Sequence, residues 1–288
     1  MPDVEIGVLG GSGLYAIEAL QDIEEFAVTT PFGEPSDKYF IGTLHGRRVA
    51  FLPRHGRGHR HLPSELNFRA NIYGFKSLGV NRIISASAVG SMKVELKPMD
   101  IVLPDQFIDR TYARKSTFFG NGVVGHVSFA DPICRQLSDI VQRGANGAGL
   151  PVKRGGTYVC IEGPQFSTRA ESLLYRSWGV DLIGMTNLQE AKLAREAEIC
   201  YCTIALVTDY DCWHETEEPV TAEMVIACLQ KNAENAKKLI GAAVAAMPSA
   251  YRCGCHDALK FSILTDPAMI STESRTNLAL ILNKYLGK

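Results

Sequence analysis

The stretch that decides the fold of this chain reads Tyr201-Cys202-Thr203-Ile204-Ala205-Leu206-Val207-Thr208-Asp209-Tyr210-Asp211-Cys212-Trp213. Its first seven residues are apolar and largely β-favouring, in a run short enough for one buried strand. Two carboxylates, Asp209 and Asp211, follow where that strand should end. Ligands of open α/β sheets bind at the carboxyl ends of strands. We therefore expect the pair to hold a metal, share a proton or accept hydrogen bonds from a heteroaromatic ring; an Asx turn is the alternative.

The whole chain has the composition of a globular protein: 288 residues, 46% hydrophobic, 21% charged and a net charge of −1. This near-neutral balance argues against a general nucleic-acid or membrane-surface role, which requires a basic excess. The first residues carry no basic segment followed by an apolar one, and no apolar run reaches about 18 residues. These features predict a cytoplasmic protein.

Strand and helix patterns alternate along the chain, and corners rich in Gly, Ser and Thr follow at least five strands. The pattern predicts one α/β domain, residues 1–288, with helices on both sides of the sheet. Its last part, about 266–288, is expected to be a C-terminal helical extension. The predicted strands are 5–9, 39–44, 48–52, 80–86, 100–104, 157–161, 181–186 and 201–207. One predicted helix starts at 63, and another follows a cap at Ser167 or Thr168, where Glu171 closes a capping box if Thr168 is the cap. The other main predicted helices span 131–142, 187–197, 221–246 and 271–286.

A glycine-rich loop, Gly10-Gly11-Ser12-Gly13, follows the first strand. Residues 11–16 match the dinucleotide pattern G-x-G-x-x-A, but the segment after them is rich in turn residues instead of forming a second strand that ends in an acid. A phosphate-binding loop is therefore the preferred interpretation, because glycine lets backbone N–H groups approach an anion.

A second candidate anion-binding loop lies between residues 53 and 61. It contains three Arg and three His, with two glycines among them. Arg54 and His55 begin it, and the glycines favour a fixed loop around a small anion over a solvated basic surface. A metal site at His59-x-His61 lacks a nearby acid or cysteine to complete it.

Eight cysteines are spread through the sequence. Their C-x-C pairs, Cys200/Cys202 and Cys253/Cys255, differ from the C-x-x-C spacing typical of zinc sites. Most are expected to be buried thiols that behave as small apolar residues, and a disulfide between the two pairs is the alternative.

These features require a common ligand. Ser12, Arg54, His55 and Ser87 suit an anion, the Asp pair suits a ring with hydrogen-bond donors or a basic nitrogen, and Phe166 offers an aromatic face. A purine nucleoside together with inorganic phosphate satisfies all three. In phosphorolysis negative charge builds on the purine, and a protonated Asp209 in a dry pocket can donate to N7.

The chain resembles the 5′-methylthioadenosine phosphorylases of the purine nucleoside phosphorylase superfamily. The matching motifs run in order from residue 5 to about 265: 10–14, 30–33, 54–57, 105–111, 161–164, 166–167, 169–172 and 208–213. The resemblance implies a mixed central β-sheet flanked by helices, and phosphorolysis of 5′-methylthioadenosine to adenine and 5-methylthioribose 1-phosphate in methionine salvage. It implies a homotrimer or dimer of trimers, with no metal or organic cofactor.

The resemblance also implies roles for single residues. Asp209, Asp211, Arg54 and His55 are expected to be the catalytic residues. The expected phosphate-binding residues are Ser12, Arg54, His55, Ser87, Ala88 (through its backbone) and Thr186. The expected nucleoside-binding residues are Phe166, Ser167, Met185, Thr186, Asp209, Asp211, His59, Val225 and, from a neighbouring subunit, His126.

Two positions depart from the family pattern: Ser12 stands where Thr is common, and Met99 stands where Gly is usual. Four alternative functions stay open. A phosphorylase of broader specificity would accept 6-oxo purines, and a nucleosidase would use water. The glycine pattern alone would suit an NAD-dependent oxidoreductase, and an adenosine-binding module would release no adenine.

Overall fold

The computed structural model of the chain describes residues 4–11, 20–214 and 221–286. Within these ranges eleven strands form one mixed sheet with helices on both faces, which confirms the predicted fold class. The strands are β1 Ile6–Gly10, β2 Gln21–Phe26, β3 Tyr39–Leu44, β4 Arg47–Pro53, β5 Arg82–Ser91, β6 Ile101–Leu103, β7 Gln106–Arg110, β8 Lys153–Arg154, β9 Thr157–Ile161, β10 Leu182–Gly184 and β11 Cys200–Asp209. The helices are α1 Phe68–Ser77, α2 Arg135–Gly147, α3 Arg169–Ser177, α4 Asn187–Glu196, α5 Ala222–Ala245, α6 Thr272–Asn277 and α7 Ala279–Leu286.

The core lies in two main layers, one on each face of the sheet. Successive residues of a strand point to opposite faces, so Ile83 packs with α1 and α4 while Ile84 packs with α2 and α5. The same alternation in β11 sends Tyr201 to the first layer and Cys202 to the second. Both central strands are therefore buried on two faces, as the apolar run 201–207 predicts.

A gap opens beside β5, and it positions the site. On one edge β5 pairs in parallel with β11 from Arg82 to Gly90. On its other edge it pairs with β1 as far as Ala86 and then with β10 from Gly90. Residues 87–89 thus have no strand partner on that edge within the described ranges. This gap is a crevice at the carboxyl ends of β1 and β11, the position where α/β sheets bind ligands.

Several helix boundaries were predicted well because their caps are local. Of the two predicted caps of α3, Ser167 and Thr168, the structure uses Thr168, which forms the capping box with Glu171. Thr221 caps α5, whose bounds agree with the predicted 221–246 to within one residue. The described part of the chain contains no helix that is both long and apolar enough to cross a membrane.

Other boundaries differ from the predictions. Strand β5 continues to Ser91 because β10 and β11 keep pairing beyond Ala86. Helix α2 starts at Arg135 instead of 131, because Cys134 accepts the N–H of Leu137 and caps it there. The predicted terminal helix 271–286 is two helices, α6 and α7. Strands β2 and β7 were not predicted, since both are largely exposed and lack an apolar run.

Candidate active site

The crevice beside β5 widens into a cavity of about 950 Å³, including its open mouth. Its walls come from the ends of β1, β4, β5, β9, β10 and β11 and from the first part of α5. The predicted residues that line it are Arg54, His55, His59, Ser87, Ala88, Phe166, Ser167, Met185, Thr186, Asp209, Asp211 and Val225.

Asp209 and Asp211 lie at one end of the cavity. The Asp209 carboxylate accepts hydrogen bonds from the Thr208 hydroxyl at 2.6 Å and from the backbone N–H of Asp211 at 2.8 Å. Burial raises the pKa of Asp209 above its ordinary value, and the neighbouring Asp211 charge adds to the rise. Burial likewise raises the pKa of Asp211. The pair is therefore suited to hold or share a proton.

A β-bulge places this pair. The β11–β5 register pairs Val207 with Val89 and then Asp209 with Gly90, so Thr208 is the extra residue. Gly90 is required there, because a Cβ at this position would lie 2.9 Å from the Asp209 carboxylate oxygen. The turn residue Asp211 has a positive φ of 52°, a conformation that Asp tolerates better than most side chains.

Arg54 contacts Ala86 of β5, four residues before the Gly90 that pairs with Asp209, and it is held in a buried ion pair. Its Nε and Nη2 donate to the two carboxylate oxygens of Glu190 at 2.5 and 3.2 Å, and each residue is 1% exposed. Nη2 also donates to the Ser85 hydroxyl at 2.6 Å, and Nη1 donates to the Ala86 carbonyl at 2.9 Å. Nη1 carries a second N–H, and it is the guanidinium nitrogen nearest Gly11 of the glycine-rich loop.

A hydrogen-bond chain joins this ion pair to the cavity wall. The Asn187 amide donates to the Ser85 hydroxyl at 2.9 Å and accepts from the Ser87 hydroxyl at 2.5 Å. The Tyr201 hydroxyl donates to Glu190 at 2.7 Å. Every member of this network is buried, so the position of Ser87 is fixed by groups behind the wall.

His55 lies next to Arg54 in the cavity wall as a neutral imidazole. Burial, together with the charge of the adjacent Arg54, lowers the pKa of His55 to about 3. Because Nδ1 of a neutral ring can donate to the His61 carbonyl at 2.9 Å, Nε2 remains unprotonated. The His59 ring stacks on His55 with 4.2 Å between centroids.

The middle of the cavity is largely apolar. Phe166 is 42% exposed and presents its ring, while Met185 lies against Gly163 and its carbonyl accepts from Arg114. Val225 of α5 adds the wall opposite the sheet, together with Ile226 and Leu229.

Two predicted site residues remain to be placed. Ser12 lies outside the described residues. His126 is exposed on a loop whose backbone pairs with residues 262–264, and it does not line the cavity of its own chain.

Sequence reasoning missed Glu190, Ile226 and Leu229. The two apolar residues follow Val225 on the same helix and could have been inferred from its spacing. Glu190 carries no motif of its own and becomes recognisable only when α4 is placed behind β5.

Within the described ranges, one group of three or more convergent metal-ligand side chains exists, and it consists of four cysteines outside this cavity. Among the described residues of the cavity, the carboxylates of Asp209 and Asp211 and the imidazoles of His55 and His59 do not form a convergent group of three.

Residues 5–245 match the model of the phosphorylase superfamily, and the chain belongs to that superfamily. It is 60% identical to an S-methyl-5′-thioadenosine phosphorylase of Koribacter versatilis, over 99% of this chain and 97% of that protein. A solved methylthioadenosine phosphorylase from an Antarctic soil metagenomic library is 51% identical, with a TM-score of 0.92 over 98% of this chain and 100% of that one. The Schistosoma mansoni methylthioadenosine phosphorylase, solved with adenine, is 33% identical with a TM-score of 0.83 over 98% and 99%. These relatives confirm the resemblance to methylthioadenosine phosphorylases.

Proposed function

We propose that this chain catalyses the phosphorolysis of 5′-methylthioadenosine to adenine and 5-methylthioribose 1-phosphate. The observation that carries the proposal is the arrangement of one cavity, with two carboxylates of raised pKa at one end and Arg54, His55 and Ser87 toward the other. A nucleoside between these ends would place its base beside the carboxylates and C1′ toward the anion. The names of the relatives support the same substrate.

The carboxylate end would activate the leaving base. As the N9–C1′ bond breaks, its electron pair moves onto the purine, and the protonated Asp209 donates its proton to N7. Asp211 accepts from the 6-amino group, which distinguishes adenine from 6-oxo purines. Phe166 and Ser167 line the base, and Met185 lies along the ribose.

The opposite end would hold phosphate as the nucleophile. Its donors are the remaining Arg54 Nη1 N–H, the Ala88 backbone N–H and Thr186, and the Ser12 hydroxyl of the glycine-rich loop would add another. A phosphate oxygen forms the new bond to C1′ as the base leaves. The developing positive charge on the ribose is stabilised by the phosphate itself.

The 5′-substituent would lie against Val225, Ile226 and Leu229, an apolar surface that suits a methylthio group. His59 borders it on this chain. We propose that His126 of a neighbouring subunit borders it as well, in a homotrimer or dimer of trimers. In support, Phe261 and Leu264 are 87% and 65% exposed beside the His126 loop, and exposed apolar patches of this kind mark subunit contacts.

We propose further that the enzyme works in the cytoplasm, in methionine salvage, and that the reaction uses phosphate as co-substrate without an added cofactor.

Incubation with 5′-methylthioadenosine should release adenine and a sugar 1-phosphate when phosphate is present. Because phosphate is the nucleophile, adenine release should fall at least about 100-fold when phosphate is removed. Liquid chromatography of adenine and phosphorus NMR of the sugar product would measure both. Equal release of adenine without phosphate would contradict the proposal and indicate a nucleosidase.

A further inference from the structure

Four thiols that are far apart in the sequence meet on the side of the sheet covered by α2 and α5. The sulfur atoms of Cys134, Cys200, Cys253 and Cys255 all lie within 4.8 Å of one another, and Cys134 and Cys253 are 3.6 Å apart. All eight cysteines of the chain are free thiols. The cluster therefore brings four unbonded sulfurs to one point.

Three separate parts of the fold supply these sulfurs. Cys134 caps α2, Cys200 begins β11, and Cys253 and Cys255 flank a tight turn after α5. Cys202 does not join them, because its sulfur contacts the Ser138 hydroxyl at 3.3 Å. The C-x-C spacing of Cys253 and Cys255 accounts for only two of the four sulfurs. The other two, from Cys134 and Cys200, belong to α2 and β11, so the spacing alone does not indicate the set.

We propose that these four sulfurs bind one Zn²⁺ ion in a tetrahedral site. With Zn–S bonds of about 2.3 Å, the sulfurs of such a site are about 3.8 Å apart. The observed 3.6 Å contact meets this value, and the largest separation of 4.8 Å needs a closure of about 1 Å. Each thiol gives up its proton to solvent as the ion binds, so the site carries two net negative charges.

The surroundings suit that negative charge. The Leu137 N–H donates to the Cys134 sulfur at 3.4 Å, and the Tyr251 hydroxyl lies 3.5 Å from the same atom. The His256 Nε2 lies 3.6 Å from the Cys200 sulfur. Outer hydrogen bonds of this kind orient and stabilise thiolate ligands.

A cation and an entry path complete the site. Arg82 stands opposite Cys200 in the β5–β11 register, and its guanidinium lies 4.5 Å above the Tyr251 ring. A cleft lined by Cys134, Cys253 and Cys255 leads to solvent, so an ion can enter after folding.

The geometry gives this ion a structural role. Cys200 and Asp209 are the two ends of β11, and nine residue steps in a strand span roughly 30 Å. The zinc would thus be remote from the carboxylates. It would tie the segment after α5 to the start of the central strand and to α2, and so fix the last forty residues against the sheet.

The test is metal content of the full chain, purified without oxygen from zinc-supplemented cells. Inductively coupled plasma mass spectrometry should find one zinc per chain in the wild type and in Cys228→Ser, a control outside the cluster. The double variant Cys253→Ser/Cys255→Ser should lose it. Cobalt added to the chelator-treated wild type should produce thiolate-to-metal charge-transfer absorption, and the double variant should not.

Wild type without zinc and without the cobalt band would overturn the proposal. So would zinc retained by the double variant, or disulfides found among these cysteines by mass spectrometry of the alkylated, unreduced protein. If the double variant does not fold, zinc content and the cobalt spectrum of the wild type decide the matter. Neither readout depends on catalysis, so the result stands apart from the proposed function.

Discussion

Replacing Asp209 with Asn is expected to lower kcat/KM for 5′-methylthioadenosine by about 10²- to 10⁴-fold, the range of a lost general acid. The fold should persist, because the Asn oxygen can still accept from the Asp211 N–H, while its NH2 group can donate to the Thr208 hydroxyl, which then donates to the Val89 carbonyl. Asn can donate a hydrogen bond but cannot transfer a proton to N7. Steady-state kinetics with both substrates varied would measure the loss.

The direction in which activity changes with pH is a second test of the role of Asp209. Burial raises the pKa of Asp209, so the acid form survives at pH values where an exposed carboxyl has lost its proton. Activity that needs the acid form should therefore be present below this raised pKa and fall as pH rises through it. The Asn variant should lack that alkaline fall.

The preference between 6-oxo and 6-amino purines is a further test of the carboxylate pair. An amide at position 211 can donate to a 6-oxo purine where a carboxylate repels it, so the ratio of inosine to 5′-methylthioadenosine turnover should rise in Asp211→Asn. The exposed Asp105→Asn should change neither rate nor ratio. An unchanged ratio in Asp211→Asn, or a wild type that prefers inosine, would remove the role assigned to Asp211 and favour the broader phosphorylase.

Replacing Glu190 with Gln is expected to destabilise the protein by about 3–5 kcal/mol, because it leaves the buried Arg54 charge without its counter-charge. Glutamine keeps the shape of the side chain, so the loss would report charge instead of packing. It should also raise the KM for phosphate, since Arg54 and, through Asn187, Ser87 are oriented by this carboxylate. Urea denaturation and phosphate titration would measure the two effects.

The matched control for Glu190→Gln is Glu234→Gln. Glu234 pairs with Lys237 at 2.9 Å on the surface, and its side chain is 64% exposed. Exposed pairs contribute about 0–1 kcal/mol. If Glu190→Gln lowers the free energy of unfolding no more than Glu234→Gln does, Arg54 does not depend on its ion pair with Glu190.

The parts of the site that follow from local sequence were predicted. Asp209 and Asp211 were found because a buried apolar run ends directly before them, and Thr168 because a capping box needs only four residues. Glu190 was missed because its function depends on a guanidinium 136 positions away. The cysteine cluster was missed for the same reason, since its sulfurs come from three distant elements.

Met99 shows how a departure from a family pattern is accommodated. The sequence placed Met where Gly is usual, and the structure keeps the turn with a φ of 78° at Met99. Its N–H still donates to the Val207 carbonyl at 2.9 Å. A non-glycine residue in this conformation is strained. Met99 lies beside the end of β11 and does not line the cavity.

The Arg54–Glu190 pair has a consequence for how the enzyme responds to its medium. With that pair balanced and His55 neutral, the described anion end has almost no net formal charge, so oriented dipoles must do most of the work of holding the oxyanion. Dissolved salt screens the long-range attraction between unlike charges, with a screening length of about 10 Å at 0.1 M. Capture of phosphate by this protein should therefore be nearly insensitive to ionic strength.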